Sequence, residues 1–532
     1  MKTNLTKSNP IKTKKQIKTI AVLLLSVIFT VVFWKENIGI NYLIYTVPVV
    51  GFLIAMRPSC LKNTPTLITM GGTLLSMGAL IFLHSTFSIV LFFISALLFV
   101  AFYHQNELKS IYYALASNFA NVPMCFKGLF QKEGTSNKKP LLSQQTKKWL
   151  KLTVIPIIIT FVFFLIYREA NPIFFRYTEN LLDEIGYFFE NLFKDFSLMR
   201  FWFFGLGTWI SAYFIFFHSQ KKLSVLDQKQ NNVIARIKFK YKYYLNPVAL
   251  LNEYRTALIT LILLNGLLLL VNTIDIWKVW FNFSYIEGID LSGALHEGTY
   301  LLIFAILLSI GVIVYFFRGN INYFSKNKTL VKASYAWIIQ NFVLAGTVAV
   351  KCFYYIHYQG LTYKRIGVLL FLLVVVSGLI LMLVKIKHKK SIHFLLRTDS
   401  WIAYGIMVFA CLVNWDGLIV KNNLKLDYPS HIDYRYLLDL ADRTLPLIVE
   451  HYQQFEDNNH YKSVKYRHYQ FPYETKLTNV LDKRIYKFRL EHEKNTPLSW
   501  NYDDYATYQA LKSYTTNLYN QRGKQIINTT NH

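Results

Sequence analysis

"EANPIFFRYTENLLDEIGYFFENLFKDF" (residues 169–196) is acidic in a chain that is otherwise strongly basic. From Arg168 to Ser197 there are six carboxylates (Glu169, Glu179, Asp183, Glu184, Glu190, Asp195) against three basic residues (Arg168, Arg176, Lys194). The whole protein has 532 residues, 58 Lys+Arg against 30 Asp+Glu, and a formal net charge of +28. A nucleic-acid-binding protein gathers such charge on one domain. A membrane protein retains it in alternate loops, because basic loops stay on the cytoplasmic side. The sign of residues 169–196 decides between these readings, since it marks one loop from which basic residues are excluded.

The composition supports the second reading. The chain is 53% hydrophobic and 17% aromatic, and its apolar runs recur at about the 20 residues that cross a bilayer core. Eleven spans are expected: 19–34, 38–56, 66–83, 86–103, 149–167, 199–217, 255–275, 297–317, 333–356, 366–386 and 399–414. The N-terminal arm, with six lysines, and the loops at 57–65, 104–148, 218–254, 318–332 and 387–398 are basic. The loops at 35–37, 84–85, 168–198 and 276–296 are poor in basic residues, and 357–365 has one pair, Lys364 and Arg365. This alternation implies N-in/C-out threading. "KTKKQIK" before the first run resembles a signal-peptide n-region, but "VVFWKENIGINY" follows where a small-residue cleavage site would stand, so an uncleaved first span is expected. The four scattered cysteines have no CxxC spacing and suggest neither a disulfide framework nor a zinc site.

The fold class expected is therefore all-α: a polytopic transmembrane helical bundle with a small helical extracytoplasmic C-terminal domain. Three regions follow. Residues 1–148 form a four-span region with basic cytoplasmic loops. Residues 149–414 form a seven-span core that includes an amphipathic outer helix at 171–196, where Leu181, Ile185, Phe188, Leu192 and Phe196 share one face and Asn171-Pro172 suits a helix start. Residues 415–532 form a tail with sixteen basic and fourteen acidic residues, fourteen tyrosines and no run long enough to span. The tail reads as amphipathic helices near 433–456, 475–493 and 502–520. "SIYYALASNFANVPMCFKGLF" (110–130) reads as a further interfacial segment, and "MGGTLLSMG" (70–78) suits close helix packing at Gly72 and Ser76.

Catalytic signatures are absent. There is no phosphate-cradling GxxxxGK[ST], no GxSxG and no dinucleotide fingerprint. "HEGTY" (296–300) begins like HExxH but places Tyr300 where the second imidazole would be, so it lacks the ligands of a zinc site. Within spans, Asn265, Gln340, Asn341 and Lys351 are the candidate intramembrane polar residues. The amides read first as bonds between helices, and Lys351 as a stem reaching the interface. No acidic residue reads as lying at mid-membrane.

Several stretches resemble a family of bacterial polytopic proteins that carries a domain of unknown function, of the 4153/4173 type. They are "EANPIFF" (169–175), "LHEGTYLL" (295–302), "GLTYKRIGVLLFLL" (360–373), "NWDGLIVKNNL" (414–424), "IDYRYLLDLADRTLPLI" (432–448) and "LSWNYDDYATYQAL" (498–511). The similarity covers roughly 150–511, with His296 standing for the usual arginine and Trp415 for the usual proline. It implies a topology and a bacterial inner-membrane location, but no activity. The same positions form a candidate outer-face polar cluster: Glu169, Asn171, Glu297, Asn414, Asp416 and Asp433. It reads first as the seam where the tail docks and second as a site.

The function expected is that of an envelope sensor, regulatory protein or scaffold. A transporter of a small or lipid-like substrate is the alternative, and an envelope enzyme acting on lipid or glycan a further one. No cofactor or metal is expected. The expected partners are the lipid bilayer and an envelope protein bound through the tail, with no nucleic acid.

Overall fold

The computed structural model describes residues 10–125, 160, 164, 178, 198–236, 247–282, 291–426, 432–457, 477–512 and 514. The expected fifth span and outer helix 171–196, with Glu169 and Asn171, lie outside the described residues, and so does the Glu297 side chain. The described residues are helical, with no β-strand among them; Val233 and Lys390 form an isolated bridge.

Seven described helices are long and apolar enough to cross a membrane: Lys15–Phe33, Thr64–Leu83, Thr86–His104, Leu198–Ile215, Leu250–Phe281, Lys328–Gln359 and Tyr363–Lys387. Ile392–Ala410 and Trp415–Asn423, bent by 66° at their junction, raise the number to eight if they count as one span, while Asn41–Met56 and Tyr300–Phe316 are shorter apolar helices. Leu263, Leu267, Leu270, Leu301, Phe304 and Leu308 are all exposed. Water would make such a surface an aggregation site, whereas lipid makes it neutral. The chain is a multi-pass membrane protein.

The chain divides into two compact units. In the first, α1 (Pro10–Phe33) packs with α2 (Asn41–Met56) and with a helix at Leu198–Ile215. Phe29 makes ring contacts with Phe33, Tyr45 and Phe203. Gly207 lies so close to the Phe29 ring that an added Cβ would sit 2.6 Å from it.

In the second unit, α3 (Thr64–Leu83) and α4 (Thr86–His104) form a helical hairpin across His84 and Ser85. Ser85 closes a capping box with Ser88 that fixes the start of α4. Gly72 lies against the Tyr404 hydroxyl, and Ser76 bonds the Gly72 carbonyl. The close packing expected at these two small residues is present. Next come α5 (Ile111–Asn121), α6 (the Leu198–Ile215 helix of the first unit), α7 (Lys221–Lys229), α8 (Pro247–Asp275), α9 (Leu291–Phe316), α10 (Lys328–Gln359) and α11 (Tyr363–Lys387). The core among α8–α11 includes Leu261, Ile306, Ile338, Val348, Leu379 and Met382.

α12 (Ile392–Ala410) starts at a Ser391 cap, seven residues before the expected span start at 399. α13 (Trp415–Asn423) starts at Asn414, whose Oδ1 accepts from Gly417 N at 3.0 Å. The tail continues with α14 (Tyr434–Leu438), the 3-10 turn Asp442–Thr444, α15 (Leu445–Val449), α16 (Tyr452–Asp457), α17 (Leu477–Lys494) and a helical stretch at 502–512. The single helix expected over 433–456 is thus broken into short pieces. Pro446, which stands at the start of α15, suits a helix entry and not an interior. The tail has its own core, including Ile419, Leu437, Leu445, Ile448, Phe455 and Leu481, and it reaches Ile366 at the start of α11.

Candidate functional site

The site lies where α13 and the tail meet the link between α10 and α11. Gly360 ends α10 in the left-handed region, at φ 79°. Its Cα approaches the Asn423 amide so closely that a Cβ would be 2.6 Å from Oδ1, so both the dihedral and the space demand glycine. Asn423 Oδ1 accepts from Leu361 N at 2.5 Å, and its Nδ2 donates to Leu361 O at 3.0 Å. One amide thus pairs with both backbone groups of a loop residue. Arg365, one turn into α11, donates to the Gln359 carbonyl at 2.9 Å and to the Gly360 carbonyl. Thr362 caps α11.

Beside this link stands an ion cluster. Asp416, in the first turn of α13, is 3% exposed, and Arg443, in the 3-10 turn, is 9% exposed. Arg443 Nε lies 3.3 Å from Asp416 Oδ2 and 3.5 Å from Asp503 Oδ2, so one guanidinium stands between a buried carboxylate and a partly buried one. The pair Asp416–Arg443 is neutral, and Asp503 would add an uncompensated negative charge. Burial pushes the Asp503 carboxyl up to about 7; the charges of Asp504, Asp416 and Asp442 push the same way, and Arg443 opposes them. The geometry admits an ion pair for Asp503, but the charge count favours the proton on it. Among the described residues Arg443 Nη2 has no hydrogen-bond partner. Tyr363 N donates to the Tyr436 hydroxyl at 3.0 Å, and burial raises the Tyr436 phenol. Arg484 of α17 completes the surround, donating to Asp442 Oδ1 at 2.8 Å and to the carbonyls of Leu438 and Leu440.

Of the outer-face candidates, Asp416 belongs to this cluster. Asn414 and Asp433 are helix caps, Asp433 Oδ1 accepting from Tyr436 N at 3.0 Å. Sequence reasoning missed Arg443 and Asp503. They are 27 and 87 positions from Asp416 along the chain (443 − 416; 503 − 416), and no spacing rule joins them.

The intramembrane candidates are joined by hydrogen bonds. They form a ladder between α8 and α10. Gln340 Nε2 donates to Asn265 Oδ1 at 2.7 Å, Asn265 Nδ2 to Leu261 and Ala333 carbonyls at 2.7 and 3.1 Å, and Asn272 Nδ2 to Gln340 O at 3.0 Å. Asn341 Nδ2 bonds its own helix at Trp337 O, 2.8 Å away. Lys351, expected as a stem that reaches toward the interface, pairs through Nζ with both oxygens of Asp275, the last residue of α8, at 3.2 Å.

Two further polar sites escaped the sequence reading. Asp399 Oδ1 lies 2.6 Å from Ser377 Oγ, and because α12 begins at Ile392 this carboxylate is about 10 Å inside the helix rather than at its mouth. On the side of the basic loops, buried Asp227 accepts from Lys109 N (2.6 Å), Ser110 N (3.1 Å) and Ser110 Oγ (2.5 Å), and so caps the start of α5. His393 Nε2 stands 3.6 Å from Asp227, and His393 Nδ1 is 2.5 Å from the Tyr112 hydroxyl. Among the described residues no group of three or more His, Cys, Asp or Glu side chains is disposed to hold a metal ion.

Comparison with known proteins agrees with the resemblance. Residues 49–451 match the family "Domain of unknown function (DUF4153)", and the chain belongs to that family. The match begins about 100 residues before the similarity read from the motifs and ends before 498–511. Neither a curated protein nor a solved structure matches the chain. Gly360, Arg365, Asn414, Asp416, Asn423 and Arg443 therefore lie inside the family region, whereas Arg484 and Asp503 lie beyond it.

Proposed function

We propose that the protein is an envelope sensor or scaffold of the bacterial cytoplasmic membrane, whose C-terminal tail docks on the membrane bundle through a proton-dependent ionic seam. The observation that carries this reading is one guanidinium, Arg443, buried between two carboxylates, Asp416 and Asp503. The docked tail holds a proton on Asp503 that an undocked, hydrated Asp503 would release. Its pKa is raised on docking, from an ordinary 3.8 to about 7. Stability is therefore full in acid and falls as pH rises through that window, by about 1.4 kcal/mol per pH unit at most. The alternating basic loops support N-in/C-out threading with eleven spans, which places the tail outside, where pH varies. The test is hydrogen exchange of residues 502–512 in the full chain in nanodiscs between pH 5 and 8.5. Protection should fall as pH rises, and Asp503→Asn should remove the dependence. Equal protection at every pH in the native chain would overturn the reading.

A transporter is the second reading, supported by Asp399 inside α12 against Ser377 and by the 66° break between α12 and α13. A proton flux in proteoliposomes that Asp399→Asn abolishes would favour it over the sensor.

A further inference from the structure

The tail segment that follows α17 is fixed to the points where the chain leaves the apolar layer. Trp500 O accepts from Ile40 N at 2.8 Å. Gly39 lies so tightly on the Ser499–Trp500 backbone that an added Cβ would be 2.5 Å from the Ser499 carbonyl carbon. At the end of α3, His84 Nδ1 is 3.7 Å from Asp504 Oδ2, and the Phe82 ring centroid is 5.6 Å from that of Tyr502. Residues 499–504 therefore sit level with the ends of the spans.

What this segment exposes is aromatic. Trp500 is 37% exposed, Tyr502 48% and Tyr505 44%, and the rings of Trp500 and Tyr505 are 6.3 Å apart. The edge continues an existing surface. Leu67, Ile68, Leu74, Leu75 and Phe82 are exposed on α3, and at 100° per residue they fall within one stripe about 120° wide. Such an apolar stripe on a candidate span suits lipid, and Phe82, its last member and 58% exposed, touches Tyr502. A cleft of about 350 Å³, lined by Ile40, His492, Pro497, Trp500 and Asp504, opens on the same edge. Tyr and Trp are the side chains that settle at the headgroup level, with ring bodies in the apolar boundary and polar tips in water.

We propose that the Trp500–Tyr502–Tyr505 edge beds into the headgroup layer of the bilayer, so that the tail lies along the membrane surface and its partner on this face is lipid. The inference rests on the membrane-spanning fold and is independent of the sensor reading.

The four cysteines are buried, so a single introduced cysteine can be labelled in the full chain. One fluorophore would be placed at Tyr505→Cys, and another at Thr496→Cys, which leaves all three aromatic residues in place. A control would be placed at Glu491→Cys, whose side chain is 61% exposed on α17. In nanodiscs of phosphatidylethanolamine and phosphatidylglycerol, lipid spin-labelled at the headgroup should quench the first two probes at least twofold more than the control. Aqueous iodide should quench the control at least twofold more than the first two. Iodide quenching equal at all three sites, with no effect of spin-labelled lipid, would overturn the proposal. Protection of the first two probes from both quenchers would also overturn it, since protein would then cover the edge.

Discussion

Two buried polar regions hold this protein together, and they are built on opposite principles. Between α8 and α10 the polar groups are amides and one matched ion pair: Asn265 with Gln340, Asn272 with a backbone carbonyl, Lys351 with Asp275. Their charges cancel, so proton concentration has little leverage on them. At the tail, Asp416, Arg443 and Asp503 leave one charge over, and a proton must settle the balance. The first arrangement suits a permanent joint between two helices, the second a joint whose strength depends on its surroundings. The family region supplies the neutral Asp416–Arg443 pair, and the added carboxylate comes from the segment beyond that region.

The comparison breaks most sharply at Arg443. Arg443→Met leaves buried Asp416 without its counter-charge and should cost about 3–5 kcal/mol. The tail should become protease-sensitive while the span helices keep their far-UV circular dichroism. If the tail stayed protected, the cluster would be ornamental.

Asp503→Asn tests the odd charge directly. The substitution should leave acid stability nearly unchanged and stabilise docking at pH 8 by about 1–3 kcal/mol, because the group no longer has to ionise in a buried place. Thermal unfolding of native and variant chains would converge near pH 4, separate as pH rises to about 7, and keep a constant gap above it. Curves that stay parallel would remove Asp503 from the account.

In the ladder, Lys351→Met should destabilise by about 1–3 kcal/mol, leaving Asp275 without its partner, and Lys351→Met with Asp275→Leu should recover most of the loss. Both effects should be nearly equal at pH 5.5 and 8. The smallest effect is expected at the amides: a double-mutant cycle on Asn265→Leu and Gln340→Leu should give a coupling of about 0.6 kcal/mol, insensitive to pH. A coupling that changed with pH would show that the two regions are not distinct in kind.

Local signals were legible along the chain where local physics decides. The apolar runs marked a multi-pass helical protein, the small residues Gly72 and Ser76 marked a close packing, and Asp433 was readable as a helix cap because a cap acts on an amide within three residues. The stretches 360–373, 414–424 and 432–448 carried the family resemblance, and Gly360, Arg365, Asn423 and Arg443 within them meet in the seam. Asp399 escaped the sequence reading because it is the first residue of the expected span 399–414. The Ser391 cap moves that boundary by seven residues, to Ile392, and puts the carboxylate inside. The partner of Lys351 was not legible because Asp275 lies on a different helix.

By itself, the sequence determined that this is a helical membrane protein of its family, because hydrophobic length and loop charge act locally against a bilayer of fixed thickness. Only the tertiary structure decided which buried charges are paired. Asp416, Arg443 and Asp503 acquire their meaning from distances of 3.3 and 3.5 Å between residues remote in the chain, and electrostatic energy in a dry seam depends on that separation and on the count of charges within it.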